Sequence, residues 1–444
     1  MSTTTVQPKA TRRERWAWYL YDFGNSAYAA VVLLAVYSTY FQDTVVGGSE
    51  GSKLWGIAVG IAMLFVAVTA PVLGTIADFS GAKKRFLLFY TTIAVVFCAL
   101  LFFVQKGMGF LGMLLFILAE IGYRSSQVFY NSLLPEIATP DEMPKVSGNG
   151  WAVGSVGGIL CLVIVLVPIS LIGGALVVRL SLVFTAVFFI VSALPAFLWI
   201  EERAKPQQLP AGKNYFSLAF GRIARTLREV RNFREFIKFM IAFLVYNDGI
   251  LMILDFGAIL GGVLFGMEQQ ELIIFMIIVQ LASVAGAYLF GLFANDFGGK
   301  RSLVFSLVLT CVPVIWLFFT ENRVQFYFIG ALVGFALTGV QSVSRTMVGL
   351  FSPPGKSAEF YGFFAVVGRT SSFIGPTIFG LLADWATKRS QVQGLAVDAA
   401  EKAGHRTALF SIVAFLLIGL VLLLAVNEKR AREAAQQAAS GQKE

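Results

Sequence analysis

Charge is what this sequence has least of. Asp, Glu, Lys and Arg make up only 14% of its 444 residues, whereas soluble chains carry roughly 25%. With 57% hydrophobic residues, it cannot supply a polar skin for a folded body of this length. A soluble enzyme, a disordered chain and a nucleic-acid reader are therefore all disfavoured. Histidine is almost missing: His405 stands alone, in a polar loop. The three cysteines, Cys98, Cys161 and Cys311, each lie inside an apolar run, where they read as small buried hydrophobes and not as a disulfide framework. One histidine and scattered cysteines leave no zinc or haem ligand set, and no cofactor or metal is expected. Neither H-E-x-x-H nor G-x-S-x-G occurs, so a membrane-embedded enzyme is disfavoured too. Also absent is any N-x-[ST] acceptor, which leans toward a bacterial cytoplasmic membrane over a glycosylating secretory route. The N-terminus reads as lacking a cleavable leader: its basic stretch Arg12–Arg15 runs into an apolar segment with Asp22 inside it and no small-residue cleavage site.

Long apolar runs are what the chain has in abundance. A membrane helix needs about 20 mostly apolar residues. Twelve such spans are predicted, over 16–41, 54–79, 86–105, 110–133, 148–172, 176–199, 236–262, 271–295, 303–320, 325–350, 359–385 and 406–427. With both termini cytoplasmic, Lys and Arg concentrate on the inner side, above all before Trp16, at Lys83–Arg85, between Arg203 and Lys238, and after residue 428. That is the asymmetry cytoplasmic loops carry. The net charge of +9 then reports topology and anionic lipid, not nucleic acid. The expected organisation is a six-helix half over 1–199, a cytoplasmic linker over 200–235, a second half over 236–427 and a cytoplasmic tail over 428–444. Within the linker, Tyr215–Arg234 mixes Phe216, Leu218 and Ile223 with Arg222, Arg225 and Arg228, a pattern that suits a basic amphipathic helix on the inner leaflet. The tail, rich in Ala, Gln and charge, reads as disordered or loosely helical.

The two halves repeat each other. Residues 74–85 read GTIADFSGAKKR and residues 291–301 read GLFANDFGGKR. Each places an Asp three residues before a Gly, with basic residues following. Tyr21-Asp22-Phe23-Gly24 on span 1 is answered by Tyr246-Asn247-Asp248-Gly249 on span 7. Two six-span halves in parallel orientation are a repeat architecture of secondary transporters. A helix-end Asp facing a cluster of cations makes a latch that can be broken.

Gly74, Asp78, Gly81, Lys83 and Arg85 resemble the loop motif G-x-x-x-D-x-x-G-x-[KR] of the major facilitator superfamily. The resemblance implies an all-α integral membrane protein of two pseudo-symmetric six-helix bundles. It also implies that these residues clamp the cytoplasmic gate. Asp296 and Arg301 are the counterparts in the second copy, which departs from the motif because Gly291 stands one residue too far from Asp296. A narrower resemblance rests on YDFGNSAY at 21–28, YNDG at 246–249, QSVSR at 341–345, EFYG at 359–362 and Gly375-Pro376. These are similar to the "unknown major facilitator" branch, which includes vacuolar amino-acid effluxers of yeast. Gly24 replaces the usual alanine.

Seven ionisable residues lie well inside the predicted spans: Asp22, Glu120, Arg124, Asp248, Asp255, Arg345 and Arg369. Each would cost about 2.5–3.5 kcal/mol facing lipid, so they are expected to face a wet cavity or each other. On span 4, Glu120, Arg124, Gln127 and Asn131 follow i, i+4, i+7, i+11 and share one stripe. On span 1, Asp22, Asn25 and Ser26 share a face, and on span 10 Gln341 and Arg345 do so. Four acids against three bases leave one carboxylate for a proton, with Asp248 the first choice and Glu120 the second. Arg124 and Arg345 match the geometry of a substrate carboxylate. The rival reading makes Glu120–Arg124 a static helix pair and Asp22–Arg345 a structural one. The function expected is an alternating-access secondary transporter, proton-coupled and monomeric, moving a small polar metabolite such as an amino acid. A lipid-like or siderophore cargo, or a membrane sensor that transports nothing, are the alternatives.

Overall fold

The computed structural model describes residues 10–203, 206, 233–267 and 269–440. All regular structure among them is helical. The first half holds α1 (Arg12–Tyr28), α2 (Gly48–Ser80), α3 (Lys83–Leu100), α4 (Gly109–Ser132), α5 (Met143–Leu171) and α6 (Ala175–Trp199). The second holds α7 (Arg234–Phe265), α8 (Gln269–Phe297), α9 (Gly299–Leu317), α10 (Arg323–Phe351), α11 (Ser357–Val392) and α12 (Val397–Leu424). Each of the twelve overlaps one predicted span. Ten candidate spans among the described residues are long and apolar enough to cross a membrane. Of the other two helices, α4 carries a polar stripe that includes Glu120, Arg124 and Gln127, and α11 runs through residues whose side chains lie outside the described ones. The predicted amphipathic helix of the linker falls at 215–234, almost wholly outside the described residues.

Span 1 is longer than expected and irregular. After Tyr28 the chain continues as π-helix over Ala29–Ala35 and again over Tyr40–Val46. Such i→i+5 segments are rare and often mark functional sites.

The tail departs from its reading as disordered or loosely helical. Residues Glu428–Ser440 form an ordered helix, α13. Its alanines favour helix, the Asn427 side chain accepts the Arg430 N–H at 3.1 Å, and Arg432 pairs with Glu428 one turn away at 2.6 Å. Ala431 and Ala435 are buried where α13 packs on α7 and α10.

The chain divides into two compact units, Met1–Arg225 with Pro354–Phe363, and Thr226–Pro353 with Phe364–Glu444. The first turns of α11 thus belong to the first unit and the rest of that helix to the second. Within the first unit α1 packs on α5 and α6, and α4 packs on α2 and α3. The pairings α1–α6, α2–α4, α3–α4 and α3–α6 recur as α7–α12, α8–α10, α9–α10 and α9–α12. The repeat read from short motifs is thus a repeat of helix packing.

Small residues set the closest approaches, as they do between membrane helices. A Cβ on Gly157 would lie 2.2 Å from the carbonyl oxygen of Phe23, so α1 and α5 touch backbone to backbone there. Gly157→Val should force them apart at a cost of about 1–3 kcal/mol. A thermal unfolding midpoint in detergent equal to that of the parent protein would contradict this contact.

Candidate functional site

Three polar clusters stand out from the apolar body. The first begins where α2 ends. Gly81 takes the left-handed conformation (φ 57°, ψ 38°) and turns the chain into α3, as a helix-ending glycine does. One turn separates Gly74 from Asp78, both on the face that meets the start of α11. A Cβ on Gly74 would stand 2.3 Å from the Ala358 carbonyl oxygen, so only glycine admits that approach. It brings Asp78 to the first turn of α11, where its Oδ2 accepts the Glu359 N–H at 2.8 Å. A carboxylate there satisfies an orphan amide and opposes the helix dipole.

Lys83 completes the cluster from the start of α3. Only 1% exposed, its ammonium donates to Glu136 Oε1 at 2.6 Å and Ser357 Oγ at 2.7 Å, and stands 3.2 Å from Asp78 Oδ1. Ser357 in turn donates to the Ser132 carbonyl at 2.9 Å. The network runs on through Arg203, whose N–H donates to Glu136 Oε2 at 2.8 Å and whose guanidinium pairs with Glu14 at 2.9 Å. Glu202 accepts the Lys83 and Lys84 backbone N–H groups at 2.6 and 3.2 Å, and Lys84 Nζ donates to the Ile200 carbonyl at 2.6 Å. Burial pushes the Glu202 carboxyl up from its ordinary range, against the pull of those two N–H groups.

Of the predicted latch residues, the structure brings together Gly74, Asp78, Gly81 and Lys83. Arg85 is exposed, with no ion pair among the described residues. Asp296 and Arg301 are likewise exposed, with no ion pair among the described residues. In the second unit the equivalent bonding goes to Lys300 and Glu428. Glu428 Oε2 accepts the Lys300 N–H at 2.9 Å, and Lys300 Nζ donates to the Leu424 and Val426 carbonyls at 2.7 and 2.6 Å. Glu202 and Glu428 therefore play one part, each just beyond the last long helix of its half. Sequence reasoning missed both, together with Glu14, Glu136, Arg203 and Ser357. The available signal was the shared placement of a glutamate two residues after Ile200 and two after Val426.

The second cluster lies midway along α4 in the first unit. Glu120, 0% exposed, pairs with Arg124 at 2.5 Å. Its Oε2 has no hydrogen-bond partner among the described residues. The Arg124 guanidinium lies over the Tyr123 ring at 5.1 Å, and Tyr123 stacks on Tyr28 at 4.6 Å. Around them the Tyr28 hydroxyl, Asn25 Oδ1 and Asn131 Oδ1 are also buried without a partner among the described residues. Gln127 is half-buried on the same helix. Asp22 is buried on α1, its carboxyl carbon 3.0 Å from where a Cβ of Gly154 would be.

The third cluster, in the second unit, mirrors the Asp22 arrangement. Asp248 is buried and its Oδ1 accepts the Gly375 N–H of α11 at 2.7 Å. Asn247 donates to Ser371 at 2.5 Å, and Tyr246 and Ser344 share a hydrogen bond of 2.7 Å. Arg345 is buried and Gln341 half-buried on α10. Asp255, expected to face a wet cavity or another charge, is exposed. The Arg369 side chain lies outside the described residues.

Helices of this length and apolarity, packed the same way in two units, define a multi-pass membrane protein with the major facilitator fold. The fold is similar to that of a bacterial homologue of the iron transporter ferroportin in its outward-facing state (TM-score 0.67, 12% identity, covering 93% of this chain and 99% of that one). It is also similar to the human organic anion transporter MFSD10 (TM-score 0.68, 14% identity, covering 93% and 99%). The chain belongs to the family described as "Vacuole effluxer Atg22 like", whose model matches residues 54–436. The MFS-type transporter YxiO of Bacillus subtilis is 26% identical over 97% of this chain and 99% of its own length. Autophagy-related protein 22-1 of Aspergillus niger is 26% identical over 54% of this chain, which spans 42% of that relative's length.

Proposed function

We propose that the protein is a proton-coupled secondary transporter that moves a small polar metabolite, an amino acid in the first instance, by alternating access. The observation that carries this reading is the Glu120–Arg124 pair, buried beside stacked tyrosines with one carboxylate oxygen unpartnered among the described residues. A proton arriving on Glu120 weakens its hold on Arg124. The guanidinium then becomes available to a substrate carboxylate, whose geometry it matches. Losing the proton restores the pair and ejects the substrate. Ionised Glu120 and the substrate carboxylate thereby compete for Arg124, so that proton and substrate bind together, which is the minimal requirement for coupling. Asp22 offers a carboxylate to the ammonium end, and in the second unit Asp248 is another proton carrier. In this reading Asn25, Gln127 and Asn131 complete the polar lining of the first unit, and Gln341 and Arg345 that of the second.

The Asp78–Lys83 cluster acts as the gate latch. It holds the first turn of α11 and must let go when the transporter changes state. Both termini are placed on the cytoplasmic side of a bacterial inner membrane, and the working unit is a monomer.

The test is solute counterflow and pH-driven flux in vesicles loaded with amino acids, short peptides and organic acids, read by mass spectrometry. Gradient-dependent movement of an amino acid is expected. Asp248→Asn should abolish that movement while leaving the protein folded. Full retained coupling in this variant would remove Asp248 from the proton path.

A further inference from the structure

The second unit encloses a cavity of about 80 Å³ that the polar clusters do not use. It lies between α7, α8, α9, α10 and α12, toward the end where α7 joins α8 and α9 joins α10. Its walls include Leu260, Phe275, Val279, Phe326, Val333 and Leu337, and the lone side-chain heteroatom in the lining is the weakly accepting sulfur of Met276. A buried water needs two to four polar partners, so this space does not suit water. Nor is it sealed. Gly257 belongs to its lining, and a Cβ there would meet nothing within 4 Å. Beside that gap, Leu254 on α7 is 53% exposed and Met276 on α8 is 48% exposed. The outer positions of the same two helices carry Ile259, Ile274, Ile277 and Leu281, all exposed. On membrane-spanning helices such a surface meets hydrocarbon.

We infer that this cavity is a binding site for a hydrocarbon chain, supplied by a membrane lipid that enters between α7 and α8 at Gly257. An apolar cavity with an apolar mouth admits an acyl chain and excludes its headgroup, so the site selects the chain end and not the lipid class. The inference is independent of which solute the protein transports.

The experiment uses the full chain in phosphatidylcholine liposomes containing phosphatidylcholine with a diazirine at the end of one acyl chain. After photolysis, adducts are mapped by mass spectrometry. Labelling is expected at Phe275, Val333 and Leu337 as well as at exposed Leu281. Gly257→Leu blocks the mouth and Val333→Phe fills the interior. Either should lower labelling of the other lining residues roughly tenfold, equivalent to a 1.4 kcal/mol loss of affinity, with Leu281 unchanged. Thermal unfolding of both variants checks that they are folded. Labelling confined to Leu281, or lining adducts equal in parent and both variants, overturns the site. Displacement of the lining adducts by a saturating amino-acid mixture overturns the lipid as occupant and gives the cavity to the apolar part of a cargo.

Discussion

Lys83→Met is expected to be among the most destabilising single changes in the protein. The ammonium is buried between two carboxylates, Asp78 and Glu136, and also bonds Ser357. Removing it leaves both acids out of water with no cation between them. Breaking a buried pair in this way costs about 3–5 kcal/mol. The readout is the unfolding midpoint in detergent together with flux in vesicles, and both should fall. Adding Asp78→Asn and Glu136→Gln to Lys83→Met should recover much of the midpoint, since no uncompensated charge then remains. It should not recover flux, because a neutral cluster no longer holds and releases α11 by charge. Lys83→Arg keeps the charge, but a planar guanidinium does not replace a compact ammonium in a closed site; an intermediate loss is expected. An unchanged midpoint in Lys83→Met would show that the cluster carries no load.

Glu120→Gln is expected to uncouple transport without unfolding the protein. Glutamine keeps the size and one acceptor oxygen but cannot take up and release a proton. It also removes the charge-assisted bond to Arg124, worth about 1.5–3 kcal/mol, or roughly 10- to 150-fold in an equilibrium. Gradient-driven accumulation should be lost, because no proton then moves with the substrate through this group. Exchange of labelled for unlabelled substrate, which needs no net proton movement, should persist. Loss of both activities alike would instead assign Glu120 to folding or to substrate contact alone. Flux driven as well as in the parent would support the static-pair reading of Glu120 and Arg124.

The twelve helices were legible in the sequence because apolar length is a local property. The stripe Glu120, Arg124, Gln127, Asn131 was legible for the same reason: helical periodicity sets it. What the sequence hid was partner choice over distance. Lys83 bonds Ser357, 274 positions away, and no periodic pattern links them. Glu136, Arg203 and Glu14 look like ordinary loop and helix-end charges until the fold brings them to one point. In the second motif copy, the residue types were right but the spacing was not. Asp296 follows Gly291 by one position more than Asp78 follows Gly74, which rotates it by about 100° on its helix. It ends up exposed, and Glu428, outside the motif, supplies the carboxylate to α9. The ordered helix α13 was hidden in another way: its polar composition reads as disorder, and burial of Ala431 and Ala435 is a tertiary fact.

Glu202 and Arg203 sit at the first positions of the linker, yet they are bonded into the first unit as firmly as any helix residue. This sets where the polypeptide can be cut. A gene divided so that the first product ends after Arg203 keeps the amide acceptor of α3 and the cation that holds Glu136 and Glu14. One divided a few codons earlier, after Trp199, puts both on the second product, so the first product alone no longer satisfies the Lys83 and Lys84 amides. Co-expressed fragments of the first kind should reassemble into an active transporter, and those of the second kind should not.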